Sequence, residues 1–295
     1  MKTIEEKAFD LLEEAQLNWS VEKEELVSKS GKITSSYGVF KNEDHLGTVG
    51  KGYVPYQNSE LAMTLLQATE GLDIEMTRGG SLLENKKVYL QAQLPNEFIG
   101  KSNVNRWITC LNSHDGSTAL GFGSSNTVVV CRNTFYHAYG DVQKFRHTST
   151  MKQRIEIARN ELQNVLGLDV ALMNSYKVMA DLPLRDEAIE RVLAKIFKVE
   201  ASTPKNEITT QKENKIVDFA DALQSSVTEQ GSTIWALFNG ITRFANHISA
   251  PADIVKQMDY VMLAGGSQMM NNGYDLLVEY CKEQVPEFEK MITNN

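Results

Sequence analysis

The run from Val128 to Ser149, VVVCRNTFYHAYGDVQKFRHTS, passes from an apolar, strand-like stretch into a polar segment carrying Arg132, Asn133, Tyr136, His137, Tyr139, Lys144, Arg146 and His147. Aromatic rings interleaved with cations are what a single-strand nucleic-acid binder needs, because bases stack on rings while cations track phosphates. The same aromatics would also serve to fill a core. A second segment, HLGTVGKGYVPYQN from His45 to Asn58, sets Gly47, Gly50 and Gly52 between an extended run and a helix start. Glycines there allow close strand packing or a bulge, or let the backbone approach a phosphate with Lys51 and Tyr53 alongside. The pattern GxxxxGK[ST] is absent and the glycine order reverses GxGxxG, so neither nucleotide fingerprint applies. A third segment, NSHDGS from Asn112 to Ser117, sets His114 and Asp115 beside hydroxyls and a glycine. It could ligate a metal or orient a base, as in a metal-dependent hydrolase using His114, Asp115 and His147. These are equally the residues a tight turn selects for its own backbone hydrogen bonds. Asp44, His45, His137 and His147 stand at no recognised ligand spacing.

No GxSxG elbow, HExxH helix, DxDxDG loop or kinase signature occurs, and no carboxylate pair stands out. The sequence therefore nominates no catalytic residue, no metal ligand set and no cofactor. Its candidates for contact with a nucleic acid are Lys51, Tyr53, Arg132, Asn133, Lys144, Arg146 and His147.

These residues need elements to hold them. Thr3 to Gln16 reads as an amphipathic helix with Thr3 as N-cap and Ile4, Ala8, Leu11, Leu12 and Ala15 on one face. Val21 to Val27, Lys32 to Lys41 and His45 to Tyr53 read as extended segments separated by turn residues, an antiparallel meander. A helix follows with Asn58 as N-cap and Glu60 at the positive end of its dipole, running to Glu70. Leu72 to Arg78, a Gly79-Gly80 interruption, Leu82 to Leu83, and Val88 to Leu94 form a second β region. Trp107 to Asn112 and Thr127 to Arg132 are further strands flanking a loop from Ser113 to Ser125, and Asn133 to Tyr139 could open a helix. From Ser149 the apolar period becomes helical, with later segments Ile216 to Val227, Thr233 to His247 and Met258 to Glu283. The expectation is an α+β fold, an antiparallel sheet with a meander-then-helix core followed by a helical C-terminal region. The boundary falls in the Ser/Thr/Pro-containing stretch from Glu200 to Thr210, giving a main domain of 1–200 and a helical region of 201–295.

The composition, 42% hydrophobic and 23% charged over 295 residues, is that of a globular chain and excludes wholesale disorder. The start, MKTIEEKAFDLLEEAQL, lacks the basic and apolar regions of a secretory signal, and no apolar run approaches the roughly 20 residues that span a bilayer. The three cysteines are widely spaced and odd in number, which argues against a disulfide framework and fits a bacterial cytoplasm. The net charge is −8, yet Lys101 to Asn160 holds eight basic residues (Lys101, Arg106, Arg132, Lys144, Arg146, Lys152, Arg154, Arg159) against three acidic ones (Asp115, Asp141, Glu156). Such gathered charge suits a polyanion on one surface while the rest of the molecule stays acidic.

The segments HLGTVGKGY, QNSE at 57–60, NSHDGS, VVVCRNTF at 128–135 and RHT at 146–148 resemble the phage and plasmid family called domain of unknown function 932, as does GSTIWALFNGITRFANHI at 231–248. That resemblance implies a mobile-element protein without a settled activity. The layout of three meandering strands, a glycine-rich GTVGKGY and a helix is similar to the core of single-strand annealing proteins of the Red beta and RecT groups. This implies a homo-oligomer that holds single-stranded DNA in a basic groove and needs no catalytic residue. The competing expectation is a protein-interaction module that docks on, and inhibits, a host defence complex through its acidic faces.

Overall fold

The structure is a computed structural model that describes residues 2–128, 133–136, 144–145, 147, 151–200, 202–204 and 207–293; for 128, 133–136, 144–145, 151–164 and 255 it describes the backbone alone. The fold is α+β, with two antiparallel sheets and a helical C-terminal region. Contacts divide the chain into two compact units, 1–95 with 107–124 and 138–166, and 96–106 with 125–137 and 167–295.

In the first unit, α1 (Ile4–Glu14) starts as its sequence dictates: Thr3 accepts from the Glu6 amide at 3.2 Å and the Glu6 carboxylate accepts from the Thr3 amide at 2.7 Å. The expected meander is formed by β1 (Glu22–Val27), β2 (Ile33–Lys41) and β3 (Asp44–Gly50), paired antiparallel in that order. Register shifts between Val39 and Phe40, so Val39 faces Gly47 and Phe40 faces His45. Leu46 is the extra residue of this bulge, and it joins Val21, Val39 and Val49 in a small core.

Helix α2 (Asn58–Ala68) departs from expectation at its start. Its N-cap is Gln57, whose amide donates to the Glu60 carboxylate at 3.0 Å. Asn58 is inside the helix and buried, because its side chain is recruited by distant backbone carbonyls.

The larger sheet runs β4 (Thr77–Leu82), β5 (Lys87–Ile99), β6 (Ser102–Ser113), β7 (Leu120–Val128), β8 (Asn133–Tyr136), with β9 (Lys144–Phe145) also paired to β7. The Gly79-Gly80 pair does not interrupt β4. Gly79 pairs with Leu90, and Leu90 and Tyr89 fill the space a side chain would need. Strand β7 begins at Leu120, well inside the segment read as a loop, because Leu120 and Phe122 alternate into the core. Asn133 to Tyr136 forms a strand paired with Ser125 to Val128, not the start of a helix: pairing with the preceding strand overrides the local reading. The expected strand to Arg132 extends into 129–132, outside the described residues. On one sheet face Val88, Leu90, Ala92, Leu94, Ile108 and Cys110 alternate toward Leu11 and Leu12 of α1 and Leu61 and Leu65 of α2. Each fully buried Val, Leu or Ile side chain among them contributes about 1.5–3 kcal/mol.

The second unit holds α3 (Met151–Asp181) from Gly167 onward and then α4 (Asp186–Val192), which continues as a π-turn, Leu193–Phe197. Helices α5 (Thr210–Gln230), α6 (Ile234–Arg243) with a π-turn Phe244–Ile248, α7 (Ile254–Leu263), α8 (Gly265–Gln284) and α9 (Phe288–Thr293) complete it. The expected single segment from Met258 to Glu283 is two helices. The chain extends at Ala264, and the Tyr260 ring occupies the space where side chains at 265 and 266 would stand. No helix among the described residues is long and apolar enough to cross a membrane.

Candidate functional site

Three segments that sequence alone singles out, far apart in the chain, meet in the first unit. Gly47 lies against the 113–118 turn so closely that a Cβ there would stand 2.5 Å from the Asp115 Cα. The turn itself is built by its own side chains. Ser113 Oγ donates to the Thr118 carbonyl at 2.5 Å and accepts from the Thr118 amide at 3.0 Å, and Asp115 Oδ1 accepts from the Ser117 amide at 2.9 Å. Of the two readings of NSHDGS, the hydrogen bonds are those of a tight turn.

On this turn, His114 is fully buried. Its Nε2 is 3.0 Å from the Asn58 Oδ1, while the Asn58 amide donates to the Leu17 carbonyl at 3.0 Å and the Trp19 carbonyl at 3.2 Å. With its nitrogen donating, Asn58 presents an acceptor, so the His114 proton resides on Nε2. The Trp19 ring meets the imidazole edge-on at 5.3 Å. Next to it, the His147 ring, 6% exposed, stacks on the Tyr53 ring at 4.8 Å and 22°. The Tyr53 hydroxyl donates to the Ser113 carbonyl at 2.9 Å, and the Val54 amide donates to the His147 carbonyl at 3.1 Å. Asn112 donates to the Tyr56 carbonyl at 2.9 Å, and Lys87 donates to Thr118 Oγ1 at 2.6 Å.

Burial is the main electrostatic force here. It pushes His114 down to about 4, with neighbouring His147 adding to the shift and Asp115 opposing it. Burial likewise lowers His147, against the carbonyls of Val54 and Thr118 and the charge of Asp115. It lowers Lys87, opposed by Asp115, and raises the Tyr53 hydroxyl. Both histidines are therefore held toward the neutral form. His114, with its titration far below neutrality, acts as a fixed donor and not as an acid–base group at pH 7. Among the described residues, no group of three or more His, Cys, Asp or Glu is arranged to hold a metal ion.

The candidates for nucleic-acid contact are distributed unevenly around this cluster. Tyr53 and His147 are brought together inside it. Lys51 is exposed at the turn after β3, where Lys23 donates to the carbonyls of Lys51 at 2.6 Å and Tyr53 at 2.8 Å. Lys144 lies on β9 in the same unit and Asn133 on β8 in the other, with only their backbones described; Arg132 and Arg146 fall outside the described residues. Within the basic stretch, Arg106 is spent internally. It pairs with Asp169, 1% exposed, at 2.5 Å and with Glu97 at 3.4 Å.

Sequence reading missed Phe98 and the value of Lys101. Strands β5 and β6 are joined by Gly100 and Lys101, with Gly100 at φ +55, a conformation that favours glycine. Phe98, just before this turn, is 69% exposed, and Lys101 is exposed at its tip. The signal available was an aromatic two residues ahead of a Gly-Lys pair.

The class this arrangement defines is an α+β protein whose separated polar segments close on a buried pair of neutral histidines. The chain belongs to the family described as Domain of unknown function (DUF932), whose model matches residues 45–263. No curated protein and no solved structure matches it.

Proposed function

We propose that the protein binds single-stranded nucleic acid, and that as an oligomer in a phage or other mobile element it promotes strand annealing. The observation that carries this reading is the hairpin bearing Phe98 and Lys101, an aromatic ring open to solvent three residues from an exposed lysine. A ring of that exposure offers a base a stacking surface, and the ammonium offers the phosphate a counter-charge. Two features of the first unit add support. The order β1–β2–β3–α2 is the meander-then-helix layout that resembles the annealing proteins, and Lys51 is exposed at the turn after β3. Lys23 and Lys41 of the meander also stand over the rings of Tyr37 in β2 and Trp19 just before β1, at 4.4 and 4.5 Å, so cations and aromatics already pair in this unit.

The test is fluorescence anisotropy with a labelled single-stranded DNA at several salt concentrations. Log affinity should fall linearly with log salt, and Lys101→Ala or Lys51→Ala should each flatten that slope by about 0.7. Phe98→Ala should weaken binding by about 1–3 kcal/mol at every salt concentration. Absence of binding at low salt would refute the proposal.

A further inference from the structure

A groove of about 560 Å³ in the first unit lies between α1 and the segment that leads from the end of α2 into β4. Its floor is apolar and incompletely covered. Ile4, Leu66, Leu72 and Ile74 are half-buried, and Met76 is 49% exposed. On α1, Ile4, Lys7, Leu11 and Glu14 follow one another at three- and four-residue steps, so one helix face forms a wall about 15 Å long. The rim has a strong charge bias: Asp10, Glu14, Glu70 and Asp73 stand against a lone lysine, Lys7. Asp10 is paired with Lys2 at 2.5 Å, while Glu14, Glu70 and Asp73 are exposed.

We infer that this groove is the docking site for a basic amphipathic helix of a partner protein. An apolar channel of this length takes about three helical turns, which is how helix-in-groove recognition places side chains at i, i+3 or i+4, and i+7. Met76 supplies the adaptable, polarisable contact such grooves use. The acidic rim selects lysines and arginines flanking the apolar stripe, and it disfavours both an acidic helix and a nucleic acid. The site is therefore separate in chemistry from the proposed nucleic-acid surface, and either can fail without the other.

Fluorescence polarisation with a labelled peptide of about 15 residues, leucines on one helical face and lysines elsewhere, tests the inference. Saturable binding is expected, at least about tenfold tighter than for a peptide of the same composition with its leucines scattered around the helix. Glu70→Lys with Asp73→Lys, both at exposed positions, should weaken binding by about tenfold or more, and Met76→Arg should do the same while the melting temperature is retained. Equal binding of the scattered peptide, or variants that bind as the parent does, would overturn the inference. So would a dimer of the parent protein in sedimentation that Met76→Arg dissolves, since the groove would then belong to a second copy of the chain.

Discussion

Acid should weaken this fold at an identifiable residue. His114 has an ordinary value near 6.5 in the unfolded chain and about 4 in the folded protein, where burial disfavours its charged form. Above pH 6.5 both states carry neutral imidazole, so the residue imposes no penalty. Below that pH the unfolded chain takes up a proton that the folded protein refuses, and stability falls until the folded-state value is reached. The loss from this residue alone is about 2 kcal/mol at pH 5 and about 3 kcal/mol at pH 4 relative to pH 7. His147, also lowered, acts in the same direction. Urea unfolding of the parent and of His114→Gln, whose amide can still donate to Asn58, isolates the effect, because carboxylates and His147 contribute alike to both proteins. The stability difference between the two should shift by about 2 kcal/mol against the parent between pH 7 and pH 5. The ring-proton resonance of His114 in the parent should stay at its neutral position to about pH 5. Parallel stability curves, or a His114 midpoint near 6.5, would refute the argument from burial.

Two further outcomes follow from packing and from charge. Gly47→Ala should destabilise by roughly 1–3 kcal/mol or more, since the new methyl meets the Asp115 backbone at 2.5 Å, whereas Gly52→Ala, with nothing within 4 Å, should leave steric packing undisturbed; paired thermal melts read the contrast. Arg106→Met removes the guanidinium paired with the buried Asp169 carboxylate and should cost about 3–5 kcal/mol in chemical denaturation, and equal stability of variant and parent would contradict the assignment.

What the sequence reveals of this fold is what local physical chemistry determines. The Thr3 and Glu6 capping box and the meander turns at Gly31 and Asn42, both with positive φ, are readable because a few adjacent residues decide them. Strand β7 was hidden because Gly121, Gly123, Ser124, Ser125 and Asn126 are poor strand formers, and only Leu120 and Phe122 carry the alternation that buries it. Asn58 illustrates the same limit at the site. Its type and position fit an N-cap, but its side chain serves carbonyls 41 and 39 residues away and a histidine 56 residues away. Tyr53 and His147 looked like surface groups for the same reason, since nothing near either one in sequence discloses that they stack on each other.

That burial changes which residues can test function. In the cluster, the Tyr53 hydroxyl is bound to the Ser113 carbonyl, His114 to Asn58, and the turn side chains to their own backbone. Removing any of these groups leaves a buried donor or acceptor unpaired, at a cost of about 1–3 kcal/mol, so loss of binding there would report a weakened fold as readily as a lost contact. Phe98, Lys101 and Lys51 carry no such ambiguity. Phe98 is largely exposed and both lysines are exposed, so substitution removes a stacking surface or a charge while the core is untouched. A fall in affinity for single-stranded DNA in these variants, at unchanged melting temperature, therefore separates recognition from folding in a way that substitution of the family's own motifs does not.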